Sequence, residues 1–289
     1  MKSNLIPGIV ALCAFALLCG SSGCGGGGDG EDFTDDGSPT EVFGSSACSA
    51  VGYEKVLKVA NGELCSADSR GDTSSVVEVQ ITNLAGQRFI CTGTVISPTA
   101  VLSAAHCFAR GAALVEVIAT IGGAKQRRVA RNVVSHPDFQ VSDDAVYLND
   151  AAVIVIDGSL SVPPTPILVS REAQEGEEAA VAGFGQTSGD SPVGGVLRAG
   201  RAVIRDVSSE HISISFRPNE SHPCRGDSGG AIFVQDGGVL FVAGVVSQSA
   251  PDIPEEVICT VGDETLYTNI FNSNVSSFVL TVAPDAAIG

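Results

Sequence analysis

The sequence predicts an all-β protein, and three observations carry that reading. Val77, Val79 and Ile81 alternate with Glu78, Gln80 and Thr82, the period-two pattern of a half-buried strand. Ala231 to Gln235, the turn Asp236-Gly237-Gly238 and the run Val239 to Ser247 read as a hairpin whose glycines supply the turn. Short apolar runs recur at Val115 to Ile121, Ala151 to Ile156 and Ala179 to Ala182. Only the stretch near Ser273 to Leu280 has room for a helix of more than a turn or two. Turn signals about a dozen residues apart suit a barrel or a sandwich.

The chain has 289 residues, enough for one large domain or two small ones with a substantial core. Lys and Arg number 16 against 33 Asp and Glu, a formal charge of −17, which argues against nucleic acid as a partner because phosphate binding needs clustered cations. Hydrophobic content of 44% with 34 glycines and only 17% charged residues belongs to a folded chain, not a disordered one.

The first residues read as an export signal. Lys2 precedes the apolar run Leu5 to Leu18, which falls short of the ~20 residues a spanning helix needs and fits a signal-peptide core. Gly20, Ser21, Ser22 and Gly23 then lead into Cys24. That pattern resembles a bacterial lipoprotein cleavage site, with Ser21 standing where Leu is usual. Lipidation of Cys24 and plain secretion after signal cleavage are both open, and both place the protein outside the cytoplasm. Any membrane contact then runs through the lipid alone. Residues 25 to about 47 follow as a Gly-rich acidic tether containing Asp29, Glu31, Asp32, Asp35 and Asp36.

Nine cysteines less Cys13, Cys19 and Cys24 leave six: Cys48, Cys65, Cys91, Cys107, Cys224 and Cys259. An even number in an exported chain reads as three disulfides, with 15 pairings open from sequence alone. No Cys-x-x-Cys pair exists and the four histidines are far apart, so neither a metal nor another cofactor is expected.

The segment Cys224-Arg225-Gly226-Asp227-Ser228-Gly229-Gly230 is the most informative in the chain. Three glycines around one serine let the backbone bend tightly. The N–H groups of Gly226 and Ser228 then point at a common spot where a developing oxyanion would sit, while the Ser228 hydroxyl attacks a carbonyl. A serine needs a base, and His106 offers one at the end of a run of small residues, Ser103-Ala104-Ala105-His106-Cys107. Asp150 opens the apolar strand Ala151 to Val155. A carboxylate there is costly unless a donor pairs with it, and an imidazole N–H is such a donor.

These three segments, in this order, resemble the His, Asp and Ser motifs of the chymotrypsin/trypsin-like serine proteases, in a bacterial secreted or lipoprotein type. Cys91 to Cys107 spans 16 residues and His106 to Asp150 spans 44, both close to family spacing. His136-Pro137-Asp138-Phe139, Gly183-Phe184-Gly185, Val246-Ser247 and Tyr267-Thr268 fit as well. The match covers roughly residues 59–289. It implies two six-stranded β-barrels packed face to face with a short C-terminal helix, and a cleft between them. His106 is then general base and acid, Asp150 its orienter, Ser228 the nucleophile, and Ser247 a support for Asp150. The implied disulfides are Cys91–Cys107, Cys224–Cys259 and Cys48–Cys65.

The resemblance also implies activation by cleavage after Lys58. The new Val59 amine would pair with buried Asp227 and order the oxyanion loop, and breaking such a pair costs about 3–5 kcal/mol. Residues 1–24 are then the leader, 25–58 linker and propeptide, and 59–289 the protease domain. Partners are a protein or peptide substrate and an activating protease. The primary pocket departs from the trypsin pattern. His222 stands at its floor where enzymes that cut after Lys or Arg carry Asp, and Ser247, Ser249 and Thr265 line it. A small, polar or acidic residue suits such a pocket better than a cation.

The alternative is a catalytically silent lipoprotein that uses the protease fold as a binding surface. An α/β-hydrolase esterase is excluded by chain order, since its histidine comes last. His136 and His211 read as surface or loop residues, and Lys125, Arg127, Arg128 and Arg131 as the solvated face of a hairpin.

Overall fold

Strand alternation decides how the molecule is assembled, because most strands bury both of their faces. A computed structural model describes residues 46–51, 54–59, 62–66, 74–187 and 195–289; for 54–59, 62–64 and 66 only the strand path is described. The leader with Cys24 and the acidic tether up to residue 45 lie outside the described residues.

A single helical turn, α1 (Ala47–Ala50), is followed by the hairpin β1 (Glu54–Val59) and β2 (Gly62–Ser66). The first barrel then comprises β3 (Val76–Thr82), β4 (Arg88–Ser97), β5 (Ala100–Ser103), β6 (Leu114–Ile121), β7 (Ala124–Ser135) and, after the small ribbon β8 (Gln140–Val141) and β9 (Tyr147–Leu148), β10 (Ala152–Ile156). Its strands run in the order β10-β5-β4-β3-β6-β7 and close by pairing of β10 with β7. The second barrel uses β11 (Glu178–Gly183), β12 (Arg198–Val207), β13 (His211–Ser215), β14 (Ala231–Asp236), β15 (Val239–Ser249) and β16 (Glu264–Asn269). The order β12-β11-β14-β15-β16-β13 closes through β12–β13, and β2 adds to the outer edge of β12. Every strand pair is antiparallel, as the all-β class and the two six-stranded barrels require.

Period-two alternation divides each central strand between two cores. In β3, Val77, Val79 and Ile81 fill the first barrel while Val76 faces a shared core. In β10, Ile154 and Ile156 point into that barrel and Val153 into the shared core. In β14, Ile232 and Val234 fill the second barrel, and Ala231 and Phe233 face the shared core. Each fully buried aliphatic or Phe side chain contributes about 1.5–3 kcal/mol. The shared core is therefore a seam in which the two barrels stabilise each other.

The last helix, α2 (Ser273–Val282), closes that seam. Asn272 caps it by accepting the Asn274 N–H at 2.9 Å, and Val275 and Val279, one turn apart, are buried in the shared core. It runs two residues past Leu280, and Pro284 stands just beyond its C-cap Ala283.

Two expectations need correction. Glu78 is not on a solvated face: it is 2% exposed, its Oε2 accepts the Gly195 N–H at 3.2 Å and its Oε1 accepts from Gln80 Nε2 at 2.7 Å. Gly195, just before β12, meets that face of β3. His136 sits in a loop but is 3% exposed, with its ring 4.7 Å from that of Phe278 on α2 and its Nδ1 accepting the Asp138 N–H. Lys125, Arg127 and Arg131 do lie on an exposed hairpin face, that of β6–β7, with Arg128 half-buried beside them.

Candidate active site

Asp150 enters the seam through a left-handed turn. Asn149, a residue type that tolerates this region, has φ 54°, and the carboxylate that follows has no exposure. A buried carboxylate needs donors for its lone pairs, and His106 and Ser247 supply three. The His106 N–H donates to Oδ1 at 2.8 Å, His106 Nδ1 lies 2.7 Å from Oδ2, and the Ser247 hydroxyl donates to Oδ2 at 2.6 Å. The Thr268 hydroxyl donates to the Asp150 carbonyl at 3.1 Å. Because a carboxylate accepts, Nδ1 carries the proton and Nε2 is left with its lone pair.

Local sequence explains each approach. His106 lies on a single 3-10 turn, Ala105–Phe108, just after β5, where Ser103, Ala104 and Ala105 are small enough to be fully buried. The Ser103 hydroxyl donates to the Thr92 carbonyl and ties that turn to β4, and the Cys91–Cys107 bridge, Cα–Cα 6.6 Å, ties it again. Ser247 sits at a bulge: the β15–β16 register shifts between Val246 and Gln248, which re-aims the intervening side chain.

Ser228 sits in a tight loop in which Gly226 has φ 100° and Gly229 φ 81°, a region L side chains rarely adopt. A Cβ on Gly229 would fall 2.2 Å from Ser103 Oγ, so the serine loop and the histidine turn approach as closely as glycine allows. The Thr92 N–H donates to the Ser228 carbonyl at 2.8 Å and the Thr92 hydroxyl to the Gly226 carbonyl at 3.0 Å. The amides of Gly226 and Ser228 donate to no described residue, and the Ser228 hydroxyl makes no hydrogen bond at or below 3.5 Å to His106. The Cys107 sulfur is 3.9 Å from both His106 Nε2 and the Ser228 carbonyl, so the two residues flank one disulfide.

Asp227 is half-buried as a residue, and its carboxylate is held inside the fold. It accepts the Gly185 N–H at 2.7 Å and the Cys224 N–H at 2.9 Å. Burial pushes its carboxyl up to about 6 against the pull of those two amides and of the Arg198 charge. Gly183 and Gly185 leave it room, since a Cβ on either would come within 2.4 Å of its oxygens. Lys58 and Val59 lie in β1, paired with Glu63 and Gly62.

His222 is closed off rather than open to a substrate. Its side chain has no exposure, its Nδ1–H donates to the Pro223 carbonyl at 2.9 Å, and its Nε2 lies 3.1 Å from the Thr265 hydroxyl. The ring stacks on Phe216 at 5.2 Å with 7° between planes. Burial holds it below the usual histidine range despite Asp263 at 3.7 Å. Ser249 pairs with Thr265 across β15–β16 and is half-buried. Disulfide Cys224–Cys259, Cα–Cα 5.1 Å, joins the serine loop to the opposite wall, and Cys48–Cys65, Cα–Cα 5.4 Å, ties α1 to β2.

Several neighbours escape sequence reasoning. Thr92, Tyr147, whose ring is 5.6 Å from that of His106, Thr268 and Asp263 act on partners remote in the chain, and Phe216 stacks on His222 across a strand end. The only usable signal was family register, which picked out Tyr267-Thr268 without giving Thr268 its partner.

The Trypsin family profile matches residues 65–262, more than half of the chain and a span that contains His106, Asp150 and Ser228. The protein belongs to the trypsin family of serine proteases. Among its relatives, serine protease SP24D of Anopheles gambiae is 28% identical over 196 residues, covering 60% of this chain and 70% of that protein. Serine protease 56 of Mus musculus is 27% identical over 173 residues, covering 52% of this chain but only 28% of the longer mouse protein. Both relatives are animal proteins, so the bacterial type inferred from the leader finds no support among them. Three disulfides fit an oxidising, extracellular setting.

Proposed function

We propose that this protein is a serine endopeptidase in which Ser228 attacks the substrate carbonyl, His106 moves the proton and Asp150 fixes the imidazole. The observation that carries the reading is the Asp150 network. A buried carboxylate bonded to His106 Nδ1 presents Nε2 as a base toward the loop that holds Ser228. The hydroxyl proton passes to Nε2 as the acyl bond forms, and the same proton passes to the leaving amine as the peptide C–N bond breaks. Water repeats the sequence to free the acid. Free amides at Gly226 and Ser228 suit an oxyanion formed in each half-reaction. The missing Ser228–His106 hydrogen bond accords with a site that tightens on substrate.

Activation by cleavage after Lys58 accounts for Asp227. That carboxylate accepts two amides and has no cation within 4.0 Å among the described residues, and a Val59 amine would complete it. A protein or peptide is the substrate, a separate protease the activator, and the full chain is exported, free or held by lipid on Cys24. At the primary pocket, both nitrogens of His222 and the hydroxyl of Thr265 are already engaged. A floor whose polar groups are already paired offers an acidic side chain no free donor and a cation no free acceptor, so small uncharged residues fit best. After trypsin treatment, substrates with Ala, Ser or Thr before the scissile bond should be hydrolysed at least about tenfold faster than Arg or Lys substrates, a margin of ~1.4 kcal/mol. Ser228→Ala should abolish both. Hydrolysis that survives Ser228→Ala would refute the assignment.

The silent-fold alternative is favoured by no observation at the site.

A further inference from the structure

The cavity behind the serine loop, ≈ 50 Å³, is lined by Asp227, Gly183, Gly185 and Arg198 among others. Arg198 opens β12 directly opposite Gly183 of β11. Its Nη1 donates to the Gly185 carbonyl at 3.3 Å, while the N–H of the same Gly185 donates to Asp227. Arginine and aspartate therefore grip one residue from its two sides. Arg198 Nε is buried and has no acceptor. A guanidinium with an idle donor and a carboxylate with no cation within 4.0 Å among the described residues thus share one cavity, and the Arg198 charge acts on Asp227. A long arginine side chain needs only a rotamer change to redirect its fork within such a space.

We propose that Arg198 is a positioning residue that serves as the chain's own cation for Asp227, holding the Gly226–Ser228 loop in working order while the Lys58–Val59 bond is intact. The inference rests on the reading of Ser228 as nucleophile and of the Val59 amine as the activating cation. It adds that cleavage raises an activity already present. In the uncut chain the guanidinium carries the charge, and in the cut chain the amine takes it over. The dependence on Arg198 accordingly belongs to the uncut form, whereas a side chain that merely supported the barrel would matter equally in both.

The test uses the full chain and the rate of labelling by a fluorophosphonate. Lys58→Gln keeps the chain uncut, and Arg198→Gln and Arg198→Lys are made in that background and in the cleavable chain. The uncut chain labels at a measurable rate. Arg198→Gln lowers that rate about tenfold or more, the equivalent of ~1.4 kcal/mol, and Arg198→Lys restores most of it. In the trypsin-cut chain the same Arg198→Gln changes the rate by less than about twofold, by the same arithmetic. No labelling of the uncut chain beside a labelled cut chain overturns the role of Arg198 and leaves the protease intact. So does an equal loss in both forms. No labelling of the cut chain overturns the protease reading itself.

Discussion

Asp150 has no exposure, so every lone pair it keeps charged must be met from inside the protein, and the residues that meet it are those that define the site. Ser247 holds Oδ2 at 2.6 Å beside His106 Nδ1. Ser247→Ala removes a hydrogen bond to a charged group, worth about 1.5–3 kcal/mol. The fluorophosphonate labelling rate of the cut chain should fall roughly 10- to 100-fold. A change below twofold would mean that Asp150 is held without it. Asp227 makes a prediction in pH. Its carboxyl is raised from 3.8 to about 6 in the folded, uncut chain, so the folded state binds the proton more tightly than the unfolded one. Its contribution to stability is whole below about pH 4 and is lost as pH rises through 6, a swing of order 3 kcal/mol. Relative to the wild type, uncut Asp227→Asn should gain unfolding free energy by that amount between pH 4 and 7 in urea titrations. A pH-independent difference would contradict the assignment. His106, Asp150 and Ser228 were legible at this scale because each stands in a short stretch of small or apolar residues with a set spacing. Thr92 and Arg198 were not, because each acts on a partner more than 25 positions away that only folding brings near.

At the scale of elements, strands with clean alternation could be read and strands without it could not. The hairpin β14–β15 was visible from its apolar runs and its Gly237-Gly238 turn, both glycines at positive φ, although β15 runs on to Ser249. β12 was hidden because Arg198, Arg201 and Arg205 interrupt its apolar residues at every third or fourth position, a spacing foreign to a strand. The bulge that aims Ser247 is likewise a property of register with β16, which no single strand records. The 3-10 turn bearing His106 is the element most exposed to a local test. Its bridge to β4 closes a loop of 16 residues, so Cys91→Ala with Cys107→Ala should cost about 3 kcal/mol in urea unfolding. The same variant should label more slowly, because the sulfur that flanks Ser228 and His106 is gone. Unchanged labelling in a folded variant would show that Ser103 and Thr92 alone fix the turn.

For the whole molecule, the decisive feature is the seam. The two barrels contribute alternate residues of β3, β10, β11 and β14 to a core that neither owns, and Asp150 lies in it. The sequence made the all-β class legible through period-two alternation. Closure of the barrels was legible only through family resemblance, because pairing of β10 with β7 and of β12 with β13 joins strands whose own sequences do not specify a neighbour. The same seam brings His106 and Asp150 from the first barrel to Ser228 and Ser247 from the second. The most direct measurement is to label the trypsin-cut full chain with a fluorophosphonate and map the adduct by mass spectrometry. A single adduct on Ser228, formed at least about 10²-fold more slowly in His106→Ala, is the predicted result. A folded, cut chain that carries no adduct, or carries it on another residue, would contradict the account.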